Sequence, residues 1–344
     1  MATMREAVVL VTGANGEIGH GLVSRLAERG ERVVGLDLSP AASPVAEQCH
    51  EWIQGSILDS SLLSRLVSQY EFRTIYHLAA MLSTRAEFTP GAAHAVNVEG
   101  TLNLLEMAAE QTEWSGRRLK FMFPSSIAVY GLPDLATKAE AGSIREKTWN
   151  LPTTMYGCNK AYCEHLGRYY ANHYKQLGAA KGVSGVDFRA IRYPGLISAA
   201  TVPSGGTSDY IPEMIHRVAR HEPYECFVRP DTRIPFMAMP DAIRAIVALE
   251  EADEAALSWR SYNVTSFNPS AQEFLDELLT RWSDAQVEFQ VDRKRQEIVD
   301  SWPADVNDDA AREDWGWEPL YDFTSALDDY LVPGIASEMG GGVA

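Results

Sequence analysis

The sequence is short of basic residues. Its 344 residues include 30 lysines and arginines against 47 aspartates and glutamates, which gives a formal net charge of -17 at pH 7. A surface that binds nucleic acid needs the opposite sign, because it must neutralise phosphates. We therefore expect no nucleic-acid partner and interpret the acidity as a contribution to solubility.

Cysteine is scarce as well. The four cysteines, Cys49, Cys158, Cys163 and Cys226, form no Cys-x-x-Cys pair, and the eight histidines do not cluster with them. This pattern argues against a structural zinc site and against a disulfide framework. We expect no metal cofactor and a reducing, cytoplasmic setting.

Long hydrophobic runs are missing too. No apolar stretch approaches the ~20 residues that a membrane-spanning helix needs, so we expect no membrane partner. The first seven residues carry no basic region followed by a cleavage site of small residues, so we expect no signal peptide. The hydrophobic fraction of 46% is nevertheless enough for one large domain or for two domains that share a cleft.

Short apolar segments alternate with segments of helical periodicity in the first half of the chain. This alternation predicts an α/β fold of the Rossmann type, with a doubly wound parallel sheet covered on both faces. The predicted strands are Ala7–Thr12, Arg32–Asp37, Thr74–Ala79, Lys120–Ser125 and Asp187–Tyr193. The predicted helices between them are Gly19–Arg29, Ser60–Tyr70, Ala95–Gln111 and Tyr156–Leu177.

The pattern changes after Pro194, where helices and short strand candidates mix. We predict an NAD-binding domain over residues 1–194, to which residues 236–263 return. A smaller mixed α/β substrate lobe is expected over residues 195–335, and a flexible tail over residues 336–344. The segments 136–147 and 177–185 are expected to be insertions in polar loops.

Three glycines stand where the first strand meets the first helix. Gly13, Gly16 and Gly19 have the spacing of a dinucleotide-binding turn: one for the tight turn, one for close approach of a pyrophosphate, and one for helix–strand packing. A plain turn is the alternative. Asp37 ends the second strand, where a carboxylate binds the adenosine ribose and repels a 2′-phosphate, so we expect NAD and not NADP as the cofactor.

A phenol and an ammonium group lie four residues apart further along the chain. Tyr156 and Lys160 share one face of a predicted helix. A nearby cation favours the phenolate, which can take a proton from a substrate hydroxyl while hydride leaves the carbon. Chance spacing is the alternative for this pair. Ser126, at the end of a predicted strand, supplies a hydroxyl partner, although a serine pair is also a common turn cap.

Taken together, these residues resemble the extended short-chain dehydrogenase/reductase family, over nearly the whole chain. The glycine turn, the sequence His-Leu-Ala-Ala at 77–80, Asn97, Ser126, Tyr156 and Lys160 follow in the order of that family. The resemblance implies NAD contacts from further residues beside the glycines, Asp37, Tyr156 and Lys160. They are Asn15, Glu17, Ile18, Leu38, Ser56, Ile57, Leu78, Ala79, Ala80, Asn97, Tyr193, Pro194 and Ile197.

Downstream motifs narrow the resemblance. The segments 192–198, 203–210, 224–227 and 231–242 are similar to those of the short-chain type of L-threonine 3-dehydrogenase. That similarity implies oxidation of L-threonine by NAD to 2-amino-3-oxobutyrate, with Tyr156 as the base and hydride transfer to nicotinamide C4. It also implies that Lys160 lowers the pKa of Tyr156 and holds the nicotinamide ribose, and that Ser126 holds the threonine hydroxyl. Ser83 and Thr207 would contact the polar end of the amino acid.

Two alternatives remain open at this point. One is a sugar-nucleotide epimerase or dehydratase on the same fold. Ile127 and Ala128 follow Ser126 where dehydratases have an acidic pair, and no asparagine stands beside Pro194 as in epimerases. The other is a dinucleotide-binding protein without activity, which would tend to lose the pair of Tyr156 and Lys160.

The oligomeric state is also open between a homodimer and a monomer. In the family, the helix that carries Tyr156 and Lys160 forms the contact between subunits. Here Tyr162 stands where a small side chain is expected, and the two predicted insertions are long. These departures favour the monomer.

Overall fold

The computed structural model describes residues 6–40, 45–178, 184–203 and 205–340. The last four residues of the predicted tail and residues 179–183 of the second predicted insertion lie outside the described residues. The helices of the described ranges are α1 Glu17–Glu28, α2 Val45–Gln48, α3 Ser60–Gln69, α4 Ser83–Phe88, α5 Pro90–His94, α6 Gly100–Ser115, α7 Leu135–Ala141, α8 Met155–Asn172, α9 Tyr210–Ala219, α10 Met239–Glu251, α11 Ala271–Arg281, α12 Arg293–Asp300, α13 Asp309–Trp315, α14 Phe323–Ser325 and α15 Val332–Gly340. Short 3-10 segments cover Ile127–Val129 and Glu254–Ala256, and π-helical turns cover Ala95–Glu99 and Ala326–Leu331.

Thirteen strands are present in the described ranges. They are β1 Glu6–Thr12, β2 Val33–Asp37, β3 Glu51–Gln54, β4 Tyr70–His77, β5 Lys120–Ser126, β6 Ser143–Ile144, β7 Asp187–Tyr193, β8 Gly195–Ile197, β9 Tyr224–Cys226, β10 Phe236–Ala238, β11 Ser261–Asn263, β12 Val287–Phe289 and β13 Asp305–Val306. No helix among the described residues is both long and apolar enough to cross a bilayer.

Seven strands form the main sheet in the order β11-β7-β5-β4-β1-β2-β3. Pairing is parallel between β1 and β2, β2 and β3, β1 and β4, and β4 and β5. The strand order reverses between β1 and β4, so the loops that leave their carboxyl ends diverge and open a crevice there. The predicted Rossmann-type α/β fold is confirmed.

The central strands are apolar because both faces of the sheet are covered. Residues 8–11 of β1 are at most 1% exposed. Aromatic side chains of the neighbouring strands β5 and β7 pack against each other, and the rings of Phe121 and Phe188 stack with centroids 5.9 Å apart. Gly167 of α8 makes room for that layer, since a Cβ there would lie 2.2 Å from the Phe188 ring.

The chain divides into two compact units that interleave along the sequence. The first comprises Met1–Ser125, Cys158–Ile191 and Ile246–Ser261. The second comprises Ser126–Gly157, Arg192–Ala245 and Tyr262–Ala344. Within the second unit, β6 pairs with β13, β8 with β10 and β9 with β12, each in parallel.

Three local predictions need correction. The strand predicted over 74–79 is β4 Tyr70–His77, so Leu78 and Ala79 belong to the following loop. The segment 136–147 is not a polar loop, because it contains most of α7 and all of β6. Its polar side chains are used inside the fold: Lys138 is buried and donates to the Val299 carbonyl at 3.2 Å. Residues 336–340 of the predicted tail are helical, at the end of α15.

Candidate active site

The turn between β1 and α1 depends on glycine at two positions. Gly13 has a φ of +69°, a left-handed conformation that strains other residues. A Cβ on Gly13 would also lie 2.6 Å from the Ala79 nitrogen. A Cβ on Gly19 would lie 2.5 Å from the Ala14 carbonyl oxygen. Glycine at both positions therefore lets the first turn of α1 and the loop after β4 approach this turn.

The same turn has features that fit the pyrophosphate of a dinucleotide. Gly16 is the N-cap of α1, and glycine has no side chain with which to cap the helix. The backbone N–H groups at a helix start and the helix dipole favour a negative group at this end. Asn15 Oδ1 is buried in the turn without a hydrogen-bond partner among the described residues. An orphaned polar atom in this place is consistent with a ligand.

Asp37 connects the end of β2 to the glycine turn. Its carboxylate accepts the Asn15 backbone N–H at 3.0 Å and the Ser39 backbone N–H at 3.0 Å. Both bonds use only part of the acceptor capacity of a carboxylate, which has about four lone-pair sites. The remaining sites fit ribose hydroxyls, and the charge opposes a 2′-phosphate.

A buried histidine links the glycine turn to α6. The His77 ring lies between the hydroxyls of Thr12, 2.8 Å from Nδ1, and Thr101, 2.9 Å from Nε2. Thr101 donates its hydrogen to the Asn97 carbonyl at 2.5 Å, so it accepts from His77 Nε2–H, and Nδ1 accepts from Thr12. Burial is the largest cause that lowers the pKa of His77, to about 3, with Lys160 adding to it. The ring is therefore neutral at pH 7 and serves as a structural link between Thr12 and Thr101.

Asn97 joins the loop after β4 to the helix of the Tyr156–Lys160 pair. Its side chain accepts the Met81 N–H at 2.7 Å and donates to the Met81 carbonyl at 3.0 Å. It also donates to Asn159 Oδ1 at 3.2 Å. The loop that contains Leu78, Ala79 and Ala80 is thereby tied to α8.

Tyr156 and Lys160 both lie in α8, one turn apart. Gly157, between them, allows the helix to approach the segment after Ser126, since a Cβ at that position would lie 2.1 Å from the Ala128 carbonyl oxygen. Ser126 is the last residue of β5, and its Oγ accepts the Ala128 N–H at 3.2 Å. This contact uses a lone pair of the hydroxyl, so its hydrogen is available to a substrate.

Lys160 is held at the carboxyl end of β5. Its Nζ donates to the Pro124 carbonyl at 2.6 Å and lies 4.4 Å from the centroid of the Phe123 ring. Burial lowers the pKa of Lys160 to about 8, against the opposing influence of Cys163 and Glu164. A carbonyl dipole and an aromatic face are both favourable neighbours for an ammonium group.

The acidity of Tyr156 differs from the expectation. The resemblance implies that Lys160 lowers the pKa of Tyr156, whereas burial raises that pKa in the structure. Desolvation disfavours the phenolate, and in the protein by itself it is the dominant influence. The phenol therefore needs a further positive charge before it acts as a base at neutral pH.

A second buried cluster surrounds Arg192, which belongs to the downstream segment 192–198. Arg192 donates to the Tyr130 hydroxyl at 2.8 Å and to the Glu146 carbonyl at 2.8 Å. The Tyr130 hydroxyl donates to Asn263 at 2.7 Å, and Asn263 N–H donates to the Glu146 carboxylate at 3.1 Å. These residues are structural ties within the second unit. Burial raises the pKa of Glu146 and raises that of Tyr130 to about 12.

The other predicted site residues are distributed as follows. Glu17 and Ile18 begin α1, Leu38 follows β2, Ser56 and Ile57 follow β3, Ser83 begins α4, Tyr193 ends β7, Pro194 precedes β8, Ile197 ends β8, and Thr207 is buried in the turn before α9. Tyr193 uses its hydroxyl as a donor to the Ala242 carbonyl at 2.7 Å. The cofactor and substrate contacts of these residues stay predictions.

Several residues of this region were missed by sequence reasoning. Thr12, Thr101, Asn159 and Glu164 carry hydrogen bonds in the buried network. Apart from the bond between Thr101 and Asn97, which are four residues apart, their partners lie 24 to 65 residues away in the chain. No local pattern marks them, apart from the position of Asn159 between Tyr156 and Lys160.

Three features together define a dinucleotide-dependent oxidoreductase fold: the glycine turn at the sheet reversal, the Asp37 carboxylate at the end of β2, and helix α8 with Tyr156 and Lys160. In agreement with this geometry, the family model described as "NAD dependent epimerase/dehydratase family" matches residues 9–265. The chain belongs to this family.

Individual relatives are more specific. The chain is 34% identical over 332 residues to "L-threonine 3-dehydrogenase, mitochondrial" of Bos taurus, covering 94% of this chain and 81% of that protein. The solved structure "Monomeric L-threonine 3-dehydrogenase from metagenome database (apo form)" is 35% identical, with a TM-score of 0.84 over 96% of this chain and 99% of that one. The L-threonine dehydrogenase of Clostridium difficile is 30% identical, with a TM-score of 0.85 over 97% and 99% of the two chains.

Proposed function

We propose that this chain oxidises the β-hydroxyl of L-threonine with NAD, giving 2-amino-3-oxobutyrate and NADH. The observation that carries the proposal is the pair of Tyr156 and Lys160, one turn apart on α8, in a chain whose near-full-length relatives are named L-threonine 3-dehydrogenases. The family alone includes several chemistries, so the substrate rests on these relatives and the chemistry on the site.

Tyr156 acts as the general base in this proposal. When bound, NAD supplies the hydride acceptor at nicotinamide C4 and brings a positive charge. Because burial raises the pKa of the phenol, proton transfer depends on positive charge near Tyr156. Lys160 supplies one such charge whenever its ammonium group is protonated.

Ser126 holds the substrate hydroxyl, and Lys160 holds the nicotinamide ribose. The Ser126 Oγ is oriented by the Ala128 N–H, so it enters the reaction with one lone pair already used and its hydrogen free to donate. Ser83 and Thr207 contact the amino and carboxylate groups of threonine in this proposal. Their assignment rests on the resemblance to threonine dehydrogenases.

The cofactor is bound by the glycine turn, the first turn of α1 and Asp37. The start of α1, with its glycine N-cap and the positive end of the helix dipole, suits the pyrophosphate, and the Asp37 carboxylate suits the ribose of NAD. Asn15 Oδ1 is the buried acceptor that a cofactor hydroxyl or amide would satisfy.

We further propose that the protein acts as a monomer. Tyr162 is 55% exposed on α8, where a bulky ring alters the helix face that would meet a second subunit. A relative 35% identical is named a monomeric enzyme. The segment 136–147 was predicted to be an insertion that favours the monomer. It does not support this proposal, because its hydrogen bonds to Val299 and Asn307 lie within the second unit. The cytoplasmic setting expected from the cysteines stays a prediction.

The test is the absorbance of NADH when the purified protein is mixed with NAD and L-threonine. D-threonine, L-allo-threonine and a UDP-hexose are the controls. NADH formation with L-threonine alone is the expected result, and it identifies the reaction, the cofactor and the stereochemistry together. No NADH with L-threonine, or a product from the UDP-hexose, contradicts the proposed substrate while leaving the fold assignment unchanged.

A further inference from the structure

Glu164 is a buried acidic side chain that the proposed reaction does not use. It lies in α8, one turn beyond Lys160, and is 6% exposed. The Ser125 hydroxyl donates to its Oε1 at 2.5 Å. A carboxylate in such a place costs free energy unless hydrogen bonds and a positive charge compensate it.

Two consecutive residues at the end of β5, Pro124 and Ser125, bind the side chains of Lys160 and Glu164. The Pro124 carbonyl accepts from the Lys160 ammonium at 2.6 Å, and Ser125 donates to Glu164. Residues four apart share one helix face, so Lys160 and Glu164 lie on the side of α8 that meets this strand end. Ser126, the proposed substrate-binding hydroxyl, is the next residue of β5.

Three titratable groups besides Glu164 belong to the surroundings of Lys160. His77, on β4, is neutral because burial lowers its pKa to about 3. The Cys163 thiol is protonated because burial raises its pKa to about 11. Tyr156 is the phenol one turn earlier on α8. Of Glu164 and these three groups, Glu164 is the carboxylic acid, and its influence on the pKa of Lys160 opposes that of burial.

We propose that Glu164 is a positioning residue for proton transfer, whose carboxylate, held by the Ser125 hydroxyl, keeps the buried Lys160 charged and directed at the end of β5. Glu164 acts through Lys160 and does not contact the substrate. A charged Lys160 in turn favours the phenolate of Tyr156, so the carboxylate extends the pH range over which the base can work.

The charge on Lys160 can be measured without cofactor or substrate. The chain has seven lysines, so the ¹³Cε signal of Lys160 can be assigned in labelled protein by its loss in Lys160→Arg. Its chemical shift reports protonation as pH is raised. In Glu164→Gln, which keeps the size and an acceptor for Ser125, the midpoint should fall by about one pH unit. Glu110→Gln, at an exposed position of α6, should leave it unchanged.

A second variant separates charge from shape. Glu164→Asp keeps the charge on a shorter side chain, so it should keep the midpoint near that of the wild type even if it lowers stability. If Glu164→Asp and Glu164→Gln move the midpoint equally, or if neither moves it, the proposal is overturned. If Glu164→Gln does not fold, Ser125→Ala takes its place, since without the Ser125 hydroxyl the Glu164 side chain is no longer held at the end of β5. The midpoint must then fall as well, and an unchanged midpoint is equally decisive against the proposal.

The consequence for catalysis rests on the proposed function and is measured separately. Above the midpoint of the wild type, kcat with NAD and L-threonine should be up to about tenfold lower in Glu164→Gln, while at pH 6, where Lys160 is charged in both proteins, it should be close to that of the wild type. The Kd for NAD at pH 6 should not change. A shifted midpoint without any threonine oxidation in the wild type would refute the proposed function and leave the role of Glu164 in charging Lys160 intact.

Discussion

At the scale of single residues, Tyr156 is the group on which the proposed chemistry depends most directly. Tyr156→Phe removes the phenol oxygen and leaves the ring, so kcat should fall by roughly 10²–10⁴-fold. The Kd for NAD should change little, because the oxygen matters most while the proton moves. Single-turnover NADH formation and a fluorescence titration with NAD check the two parts.

Tyr169→Phe is the matched control for that variant. Tyr169 lies on the same helix and is 40% exposed, so its hydroxyl should be dispensable. Turnover of Tyr156→Phe near that of Tyr169→Phe would mean that the base has been assigned to the wrong residue.

Asp37 is expected to decide between NAD and NADP. Asp37→Ala removes an acceptor of two backbone amides together with the charge that repels a 2′-phosphate. The Kd for NAD should rise by about tenfold, as expected for the loss of a hydrogen bond to a charged group, whereas the Kd for NADP should fall. Titrations of one variant with both cofactors provide an internal control, and an unchanged ratio of the two Kd values argues against the role of Asp37.

His77 makes a prediction about pH. Its pKa is about 3 in the folded protein and about 6.5 in an unfolded chain. Between these values only the unfolded state binds the proton, so the free energy of unfolding falls as pH falls from 6.5 toward 3. In His77→Gln, which keeps a donor and an acceptor, this part of the fall should be absent. Urea denaturation at several pH values measures it.

The control for His77 is His94→Gln, at an exposed position of α5. This variant should show the same pH dependence as the wild type. If both variants follow the wild type below pH 6.5, the ring of His77 is not the neutral link described here.

At the scale of secondary-structure elements, the carboxyl end of α10 depends on an arginine from β7. Arg189 is 1% exposed. Its Nη1 donates to the carbonyls of Leu249 at 2.6 Å and Ala252 at 2.7 Å, and its other nitrogens bind the buried Asp187 carboxylate. One guanidinium therefore satisfies helix-end carbonyls and a buried acid together.

Removing Arg189 takes the donor away from those carbonyls and leaves the buried Asp187 carboxylate with Arg260, at 3.2 Å, as its charged partner. Arg189→Met should lower the free energy of unfolding by about 3–5 kcal/mol, the usual cost of breaking a buried ion pair from one side. Urea denaturation checks the value. Arg293→Met, at a side chain that is 90% exposed, should change it by less than about 0.5 kcal/mol, and equal effects of the two variants would contradict this account of α10.

Element boundaries show where local patterns suffice and where they do not. The strand predicted at 187–193 matches β7 at both ends, because all of its residues are buried between covered faces and its neighbours are turns. The short strand β3 was missed, since its two end residues are exposed and polar and its two middle residues are only half-buried. The segment 136–147 was taken for a loop because it is polar, yet Lys138 and Glu146 are buried in the fold.

At the scale of the whole molecule, the proposed monomer makes a direct prediction. Light scattering after size-exclusion chromatography should give a mass near 38.0 kDa. Tyr162→Ala, which restores a small side chain on α8, is the informative variant, because a shift of its mass toward a dimer would show that the ring prevents association. A wild-type mass of twice that of one chain would contradict the monomer.

The sequence by itself determined the fold class, the family and the residue types of the candidate site. These properties are encoded in contiguous stretches: the glycine spacing at 13–19, the acid at the end of β2, and the four-residue separation of Tyr156 and Lys160. Backbone conformation and helix periodicity act over a few residues, so their signals survive in a linear pattern.

Only the tertiary structure decided how those residues are held and charged. Asn97 meets Asn159 across 62 positions of the chain, and Glu146 meets Asn263 across 117. Burial raises the pKa of Tyr156 and lowers that of Lys160, and burial is a property of the packed fold. Hydrogen bonds and desolvation depend on which distant residues become neighbours, so no local pattern contains them.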